Sequence, residues 1–325
     1  EGSHLNYAEH LLRAETVTPD RTVFHHLSEN RPLAQMSWRE VGRQVRILAT
    51  QLRALGVVPG DRVVSYMPNV PETAIAMMAA TAIGAVWSSA APEFGVKTVT
   101  ERFAQIQPKV LFAADGYRFG GKDFKRESEV RSIIADLPSL ERVVWLPYLD
   151  PRGEVPQALP KAMSWKRLMD REDVPRDKFR FERVDYDHPL WIVFSSGTTG
   201  LPKAIVHSHV GVLLEHLKLM HFHLGLKPDS VMFFYSTTGW MMWNLLLAAL
   251  LTGAGVVLYD GNPAYPSLDL LWKLAAEARV TSFGASPTYV QMMEKAKLQP
   301  KDNFDLSRLE SIVVAGAPST PETFD

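Results

Sequence analysis

Residues 195–203 combine the residue types that bind a polyphosphate. This stretch reads Ser-Ser-Gly-Thr-Thr-Gly-Leu-Pro-Lys and follows the apolar segment 190–194. Glycines let backbone N–H groups crowd around an anion, while hydroxyl groups add donors and the lysine adds a mobile positive charge. A flexible linker can have the same composition, but a buried type of strand before it and a Pro-Lys pair after it are not typical of linkers. The sequence therefore predicts a nucleoside triphosphate site, formed by Ser195, Ser196, Gly197, Thr198, Thr199, Gly200 and Lys203.

A second glycine-containing stretch, residues 116–123, nearly matches the Walker A pattern for phosphate binding. Asp123 stands where this pattern requires a hydroxyl residue for magnesium, and its carboxylate would repel phosphate. The stretch 195–203 does not match Walker A either, because Pro202 precedes its lysine and Ala204 follows it. We therefore predict a surface loop at 116–123 and a phosphate loop of another type at 195–203.

Three further patterns stay ambiguous when they are considered by residue type alone. Residues 236–244 read Ser-Thr-Thr-Gly-Trp-Met-Met-Trp-Asn, and their large apolar side chains could belong either to the core or to a pocket. Residues 316–318 read Gly-Ala-Pro, which is by itself only a turn signal. Two His-x-His pairs, at 207/209 and 221/223, could bind zinc, but no third ligand follows at a familiar spacing. We expect surface or helix-capping histidines and no metal site.

Apolar segments alternate along the chain with segments of helical spacing. We predict helices at 38–55, 71–83, 96–106, 129–137, 208–222, 241–252, 267–278 and 287–297. We predict strands at 62–67, 86–89, 109–114, 142–146, 190–194, 231–235, 255–259, 280–284 and 311–315. Residues 148–188 are rich in Pro, Asp, Arg and Lys, and we predict an irregular excursion there around one short helix near Trp165.

This alternation predicts an α/β fold in which parallel sheets are covered by helices on both faces. Ligands of such folds bind at the carboxyl ends of the strands. Three of the segments above follow predicted strands, namely 195–203, 236–243 and 316–318. The sequence therefore predicts that these three segments surround one site.

Composition limits the possible partners. The 325 residues include 35 basic and 36 acidic ones, so nothing indicates a nucleic-acid or anionic-membrane partner. The chain has no cysteine, which excludes disulfides and thiol catalysis by the protein, and we expect a cytoplasmic location. Residues 241–259 are nearly long enough and apolar enough to span a membrane. Asn244 and the Gly253-Ala254-Gly255 break favour a core helix followed by a core strand instead.

The run from Leu190 to Gly211 resembles the phosphate loop of the adenylate-forming superfamily, which includes acyl-CoA synthetases, luciferases and peptide-synthetase adenylation domains. The resemblance extends over essentially the whole chain, and residues 56–89 resemble the early core of acyl-CoA synthetases. It implies a layered αβαβα fold with two sheets. Residues 1–57 with 220–325 would form one α/β subdomain, and residues 58–219 a second that carries the phosphate loop. Members of the superfamily continue beyond the Gly-Ala-Pro segment into a small C-terminal catalytic domain, so we expect this chain to be a truncated N-terminal part.

The resemblance also implies site roles. Thr199 and Lys203 would act catalytically on the phosphates of ATP, which Mg²⁺ accompanies, and Gly316, Ala317 and Pro318 would lie along the adenine and ribose. Trp240, Met241, Met242 and Ala315 would line the pocket for the acyl group, with the tryptophan closing it at short-chain depth. Arg118 or Lys122 would face the 3′-phosphate of CoA, and Phe94 and Gly95 would lie near the same entrance.

The carboxylate substrate is also inferred from resemblance. Segments 5–12, 92–112, 195–209, 237–244 and 257–266 are most similar to the acetoacetate-activating branch of the acyl-CoA synthetases. In acetate-activating relatives a glycine usually follows the motif lysine and another sequence follows the Gly-Trp pair, whereas this chain has Ala204 and Met-Met-Trp-Asn. We therefore expect an AMP-forming acid–thiol ligase that joins acetoacetate to CoA. The alternatives are ligation of another short- or medium-chain acid, or a non-catalytic module that binds a nucleotide or an acyl group.

Overall fold

The structure is a computed structural model that describes residues 2–195 and 200–318. Two mixed sheets with helices around them form its framework, and two small two-stranded sheets lie beside them. The predicted α/β class is confirmed, and most predicted boundaries lie within one or two residues of the observed ones.

The first large sheet has seven strands. In spatial order they are Ala162–Ser164, Arg142–Leu146, Val110–Ala114, Arg62–Tyr66, Val86–Ala90, Pro189–Phe194 and Ala204–Ser208. All neighbours pair in parallel except the last two, which are antiparallel. The strand Ala204–Ser208 was not predicted, because its side chains are largely exposed and give no apolar run.

The second large sheet has six strands. In spatial order they are Ser311–Val314, Ser282–Ala285, Val231–Phe234, Gly255–Asp260, Thr22–Ser28 and Arg31–Ser37. The last two form an antiparallel hairpin and the other pairs are parallel. This hairpin was not predicted: Arg31–Ser37 is an edge strand without a buried face, whereas Thr22–Ser28 is an inner strand with buried Val23 and Phe24.

The main helices are Trp38–Ala54, Pro71–Ala82, Val96–Ile106, Glu127–Asp136, His209–Lys218, Met241–Ala248, Leu270–Glu277 and Pro287–Ala296, and two short ones are Tyr7–Leu11 and Trp165–Met169. The predicted helix 208–222 ends in a π-helical turn, Leu219–His223, and the predicted helix 241–252 ends in a 3₁₀ turn, Ala249–Thr252. No helix in residues 2–195 and 200–318 has the length and apolarity that a membrane span requires.

Alternation of side chains along the strands divides the core into layers. Val63 and Phe234 face one shared core cluster, to which the helix Pro71–Ala82 contributes most of its residues. Their neighbours Val64 and Phe233 point the other way, into two separate clusters that the outer helices cover. The order is therefore helix, sheet, helix, sheet, helix, which confirms the layered αβαβα architecture.

The prediction of a surface loop at 116–123 is wrong. Residues Gly116–Phe119 and Lys122–Lys125 form an antiparallel β-hairpin. Its tip is Gly120-Gly121, with φ angles of 60° and 77°, the conformation that two-residue hairpin turns need and glycine adopts readily. The near match to Walker A thus reflects the glycines of a tight turn.

Candidate active site

A cavity of about 530 Å³ opens at the carboxyl ends of the strands Val86–Ala90 and Pro189–Phe194 of the seven-stranded sheet. Ser88 and Ser89 from one strand line it together with Phe194 and Ser195 at the end of the next. The opposite wall is the segment from Thr237 to Met241 with Asn244, which follows a strand of the other sheet. The remaining lining residues are Trp87, Phe94, Arg102, Ile192, Val193 and Ile205.

The predicted phosphate loop borders this cavity. The backbone N–H of Ser195 donates to the carbonyl of Lys203 at 3.1 Å, and the N–H of Lys203 donates to Ser195 Oγ at 3.0 Å. These two bonds close the base of the loop, and Lys203 is exposed there. The predicted phosphate ligands Ser196, Gly197, Thr198 and Thr199 lie outside the described residues.

The Gly-Trp segment forms the opposite wall through close backbone packing. A Cβ on Gly239 would lie 2.6 Å from the Phe94 ring, so only glycine fits between the two strand ends. Ser89 Oγ donates to the Thr238 carbonyl at 2.6 Å and fixes the same segment. Trp240 reaches across to the third predicted segment, because a Cβ on Gly316 would lie 3.0 Å from its ring. The fold thus brings together Trp240 and Gly316, which belong to two of the three segments that follow predicted strands.

Helical geometry decides which residues of this wall face the cavity. Trp240, Met241 and Asn244 line it, and their spacing of three and four positions puts them on one face of the helix Met241–Ala248. Met242 is instead buried in the shared core cluster. Sequence analysis named 240–242 as consecutive pocket residues and passed over Asn244, which the helical period could have identified.

Three other predicted residues do not line this cavity. Ala315 packs partly buried against the shared core cluster, and its N–H donates to the Ala285 carbonyl at 3.3 Å. Ala317 and Pro318 are exposed at the end of the strand Ser311–Val314.

A second cavity, of about 310 Å³, lies beside the first and shares Thr237 and Thr238 with it. Two acidic residues, Glu93 and Asp260, line it with several aromatic side chains and backbone groups. The remaining lining residues are Pro68, Asn69, Pro92, Tyr117, Phe119, Tyr235, Ser236, Tyr259 and Gly261. Its walls therefore come from both large sheets and from the hairpin 116–125.

The acidic groups of the second cavity have altered proton affinities. Burial raises the pKa of Asp260 to about 7, although the Tyr148 hydroxyl donates to Asp260 Oδ2 at 2.8 Å. Glu93 is accessible at the cavity rim, yet partial loss of its hydration raises its pKa above the usual value. With a pKa of about 7, the Asp260 carboxyl group is partly protonated near neutrality. The cavity therefore suits an uncharged polar ligand better than a phosphate.

The hairpin 116–125 carries the two basic residues that were expected near CoA. Arg118 forms a bidentate ion pair with Asp123, with nitrogen–oxygen distances of 2.6 and 3.1 Å. Lys122 is exposed and has no salt bridge within the described part of the chain. An anion that binds Arg118 would have to compete with Asp123, whereas Lys122 is open to solvent.

The histidine pairs differ in their environment. His209 is fully buried and accepts a hydrogen bond from the Tyr7 N–H at 3.1 Å, and burial lowers its pKa to about 3. Of the two expected positions, surface or helix cap, it takes the second, because Tyr7 is the first residue of the helix Tyr7–Leu11, but it does so inside the protein. His207 Nδ1 accepts from the Trp191 indole, while His221 and His223 are exposed.

In residues 2–195 and 200–318 no cluster of three or more His, Cys, Asp or Glu side chains could hold a metal ion.

Comparisons with known proteins agree with this geometry. The profile of a family described as AMP-binding enzyme matches residues 11–325. The chain is 38% identical over 327 residues to the acetoacetyl-CoA synthetase of Rattus norvegicus, covering 100% of this chain and 48% of that protein. It is 40% identical over 323 residues to the acetoacetyl-coenzyme A synthetase of Rhizobium meliloti, covering 99% of this chain and 48% of that protein.

One solved structure is similar over nearly the whole chain. The acetoacetyl-CoA synthetase from Streptomyces lividans superposes with a TM-score of 0.94 and is 44% identical. The match covers 99% of this chain and 49% of that one. This chain thus spans about half the length of the relatives it matches.

Proposed function

Because this chain belongs to the AMP-binding enzyme family, we propose that it is part of an ATP-dependent ligase that joins acetoacetate to CoA. In the first step a carboxylate oxygen of acetoacetate attacks the α-phosphorus of ATP, and pyrophosphate leaves. In the second step the CoA thiol attacks the acyl carbon, loses its proton, and AMP leaves. The products are acetoacetyl-CoA, AMP and pyrophosphate.

One observation carries this proposal. The cavity of about 530 Å³ lies between the base of the predicted phosphate loop and the wall of Trp240, Met241 and Asn244. An acid in this cavity would have its carboxylate near bound triphosphate and its carbon chain against the wall. Support for acetoacetate as the acid comes from the relatives of that name, which are 36–40% identical to this chain.

The proposed ATP site is the phosphate loop. Ser195, Ser196, Gly197, Thr198, Thr199, Gly200 and Lys203 would hold the β- and γ-phosphates. Lys203 would act as an electrostatic clamp rather than as a base, because a lysine side chain offers a mobile positive charge to the negative charge that develops on the leaving pyrophosphate. Mg²⁺, when bound, would offset part of the negative charge of the phosphates. Gly316, Ala317 and Pro318 would border the adenosine.

The proposed acyl pocket is short. The indole of Trp240, which packs edge-on against Phe234 with ring centroids 6.1 Å apart, limits its depth. Met241 provides an adaptable apolar surface beside it. We assign Met242 a supporting role, since it packs behind this wall in the core.

The second cavity is the proposed channel for the pantetheine arm of CoA. Tyr117 and Phe119 of the hairpin line it, and this hairpin also carries Arg118 and Lys122. The neutral amides of pantetheine suit a cavity in which the Asp260 carboxyl group is partly protonated near neutrality. The phosphates of CoA would remain outside near Lys122, with Arg118 available if the Asp123 pair opens.

The two sheets also suggest a division of the chain. All strands of the seven-stranded sheet come from residues 62–208, and those of the six-stranded sheet from 22–37 and 231–314. We propose that residues 58–219 form one subdomain and residues 1–57 with 220–325 the other. Catalytic groups beyond this half of the enzyme would complete the reaction.

The proposal is tested by acid-dependent pyrophosphate release from the full-length gene product with ATP and Mg²⁺. The acids are acetate, propionate, butyrate, acetoacetate and 3-hydroxybutyrate, and we expect the highest kcat/KM for acetoacetate. Lys203→Ala should lower the rate by about 10²–10³-fold, because a charge that stabilises the transition state is lost.

Lys166→Ala is the matched control, since Lys166 is exposed and lines neither cavity. A preference for an unsubstituted fatty acid would retain the ligase mechanism but replace the substrate. No release with any acid would favour a module that binds a nucleotide or an acyl group without catalysis.

A further inference from the structure

Asn244 has an unusual environment for a neutral polar side chain. It lies in the second turn of the helix Met241–Ala248, is only 6% exposed, and lines the cavity of about 530 Å³. No hydrogen bond joins its side-chain amide to a residue within 2–195 or 200–318, and the residue lines the cavity. A ligand in the cavity would therefore contact this side chain.

The hydroxyl groups of Ser88, Ser89 and Thr238 in this cavity are already committed, whereas the buried Trp87 indole N–H in the same lining has no partner in the described part of the chain. Ser88 Oγ donates to the Ile192 carbonyl at 2.7 Å, and Ser89 Oγ donates to the Thr238 carbonyl at 2.6 Å. Thr238 Oγ1 donates to the Met67 carbonyl at 2.7 Å. These hydroxyl groups hold the strand ends together, so Asn244 differs from them in having its donors available to a ligand.

The neighbours of Asn244 limit the chemistry of that ligand. Trp240 and Met241 share its helical face and are apolar, so the wall fits a short carbon chain that carries one polar atom. The carboxylate of the acid must face the phosphate loop that begins at Ser195, and the wall therefore faces the remaining carbons. In acetoacetate the one polar atom on those carbons is the C3 oxygen.

We propose that the Asn244 side-chain amide donates a hydrogen bond to the C3 oxygen of the acid and thereby selects 3-oxo acids over fatty acids of the same length. This inference rests on the proposed ligase function and specifies its substrate contact. An acid without the C3 oxygen leaves the Asn244 amide without a hydrogen-bond acceptor. A site that is built to hydrogen-bond this oxygen therefore rejects fatty acids in favour of 3-oxo acids.

The test compares acetoacetate with butyrate, which has the same carbon number but lacks the C3 oxygen. In the full-length gene product, Asn244→Leu should lower kcat/KM for acetoacetate roughly 10- to 100-fold and leave that for butyrate equal or higher. Met241→Leu is the matched control on the same helical face. It should change both acids alike and keep the ratio of the two kcat/KM values.

A binding measurement gives a second readout that does not depend on turnover. Calorimetry on residues 1–325 would compare stable sulfamoyl analogues of acetoacetyl-adenylate and butyryl-adenylate, and Asn244→Leu should weaken only the first. If the Leu variant does not fold, as judged by circular dichroism, Asn244→Ala replaces it, because a smaller side chain cannot overpack the site.

The possible results separate this inference from the function on which it rests. Equal losses for both acids, with the ratio unchanged, would mean that Asn244 only supports the wall, and would overturn the inference. A wild-type enzyme that does not activate acetoacetate would instead overturn the proposed function.

Discussion

The carboxyl group of Asp260 combines a buried position with a place in the second cavity. Burial raises its pKa from 3.8 to about 7, so the folded state binds the proton more tightly than the unfolded chain. Its contribution to stability is therefore complete below about pH 4 and is lost as the pH rises through about 7. The buried His209 acts in the opposite direction, because its lowered pKa costs stability as the pH falls below about 6.5.

Replacement of Asp260 separates its contribution to the pH dependence of stability from that of His209. Asp260→Asn keeps an oxygen that can accept from Tyr148 but does not titrate. We expect the Tm of this variant, relative to the wild type, to rise by about 2–5 °C between pH 5 and pH 8. Thermal unfolding followed by circular dichroism measures this difference. Asp136→Asn, at an exposed helical aspartate, should show no such trend, and a similar trend in both variants would contradict the assignment.

Among the elements, the hairpin 116–125 depends most on a single remote side chain. Glu29 lies between the two strands of the edge hairpin 22–37 and accepts three backbone hydrogen bonds. Its Oε1 accepts from the Gly120 and Asn262 N–H groups at 2.8 and 2.7 Å, and its Oε2 from the Gly121 N–H at 2.7 Å. This carboxylate therefore fixes the tip of the hairpin that carries the proposed CoA contacts.

Loss of the three hydrogen bonds to Glu29 should affect the reaction of the CoA thiol more than the formation of the acyl-adenylate. Glu29→Ala frees the hairpin tip, so we expect KM for CoA to rise roughly tenfold while ATP–pyrophosphate exchange stays near wild type. Steady-state kinetics with varied CoA and an isotope-exchange assay measure the two steps. Glu127→Ala, at an exposed residue just beyond the hairpin, is the control. An equal loss in both steps would show that Glu29 supports the fold as a whole.

At the scale of the whole molecule, Asn69 connects the two sheets beside the site. It follows the strand Arg62–Tyr66 of the seven-stranded sheet and is 4% exposed. Its Nδ2 donates to the carbonyls of Ser236 and Tyr259, each at 3.3 Å, and its Oδ1 accepts from Trp243 Nε1 at 2.9 Å. All three partners belong to the part of the chain that forms the other sheet.

Removal of this link should destabilise the protein as a unit. Asn69→Ala leaves the buried Trp243 N–H without an acceptor, and we expect the free energy of unfolding to fall by about 2–4 kcal/mol. Urea unfolding followed by both tryptophan fluorescence and circular dichroism measures it. Asn303→Ala, at an exposed asparagine, should change stability by less than about 0.5 kcal/mol. A loss confined to one probe would indicate that the sheets unfold independently.

Local patterns in the sequence determined the repeating framework. The helix Val96–Ile106 and the strand Arg142–Leu146 have the predicted bounds, because apolar spacing and glycine or proline breaks act over a few residues. The position of segments 195–203 and 236–244 after predicted strands follows from the same local information, whereas the order of the strands in the two sheets does not. The resemblance of the phosphate loop then indicated the family.

Tertiary structure alone decided which side chains have partners. The edge strands Arg31–Ser37 and Ala204–Ser208 have no buried residues, so pairing with a neighbouring strand rather than an apolar pattern stabilises them. Glu29 meets Gly120 across 91 residues, and Asn69 meets Tyr259 across 190. In the sequence, Asn244 is a polar residue within an apolar helix. Only the structure shows that it lines the cavity, and that the hydroxyl groups around it already donate hydrogen bonds to backbone carbonyls. Burial and hydrogen bonding depend on residues distant in sequence, so these features could not be derived from local pattern.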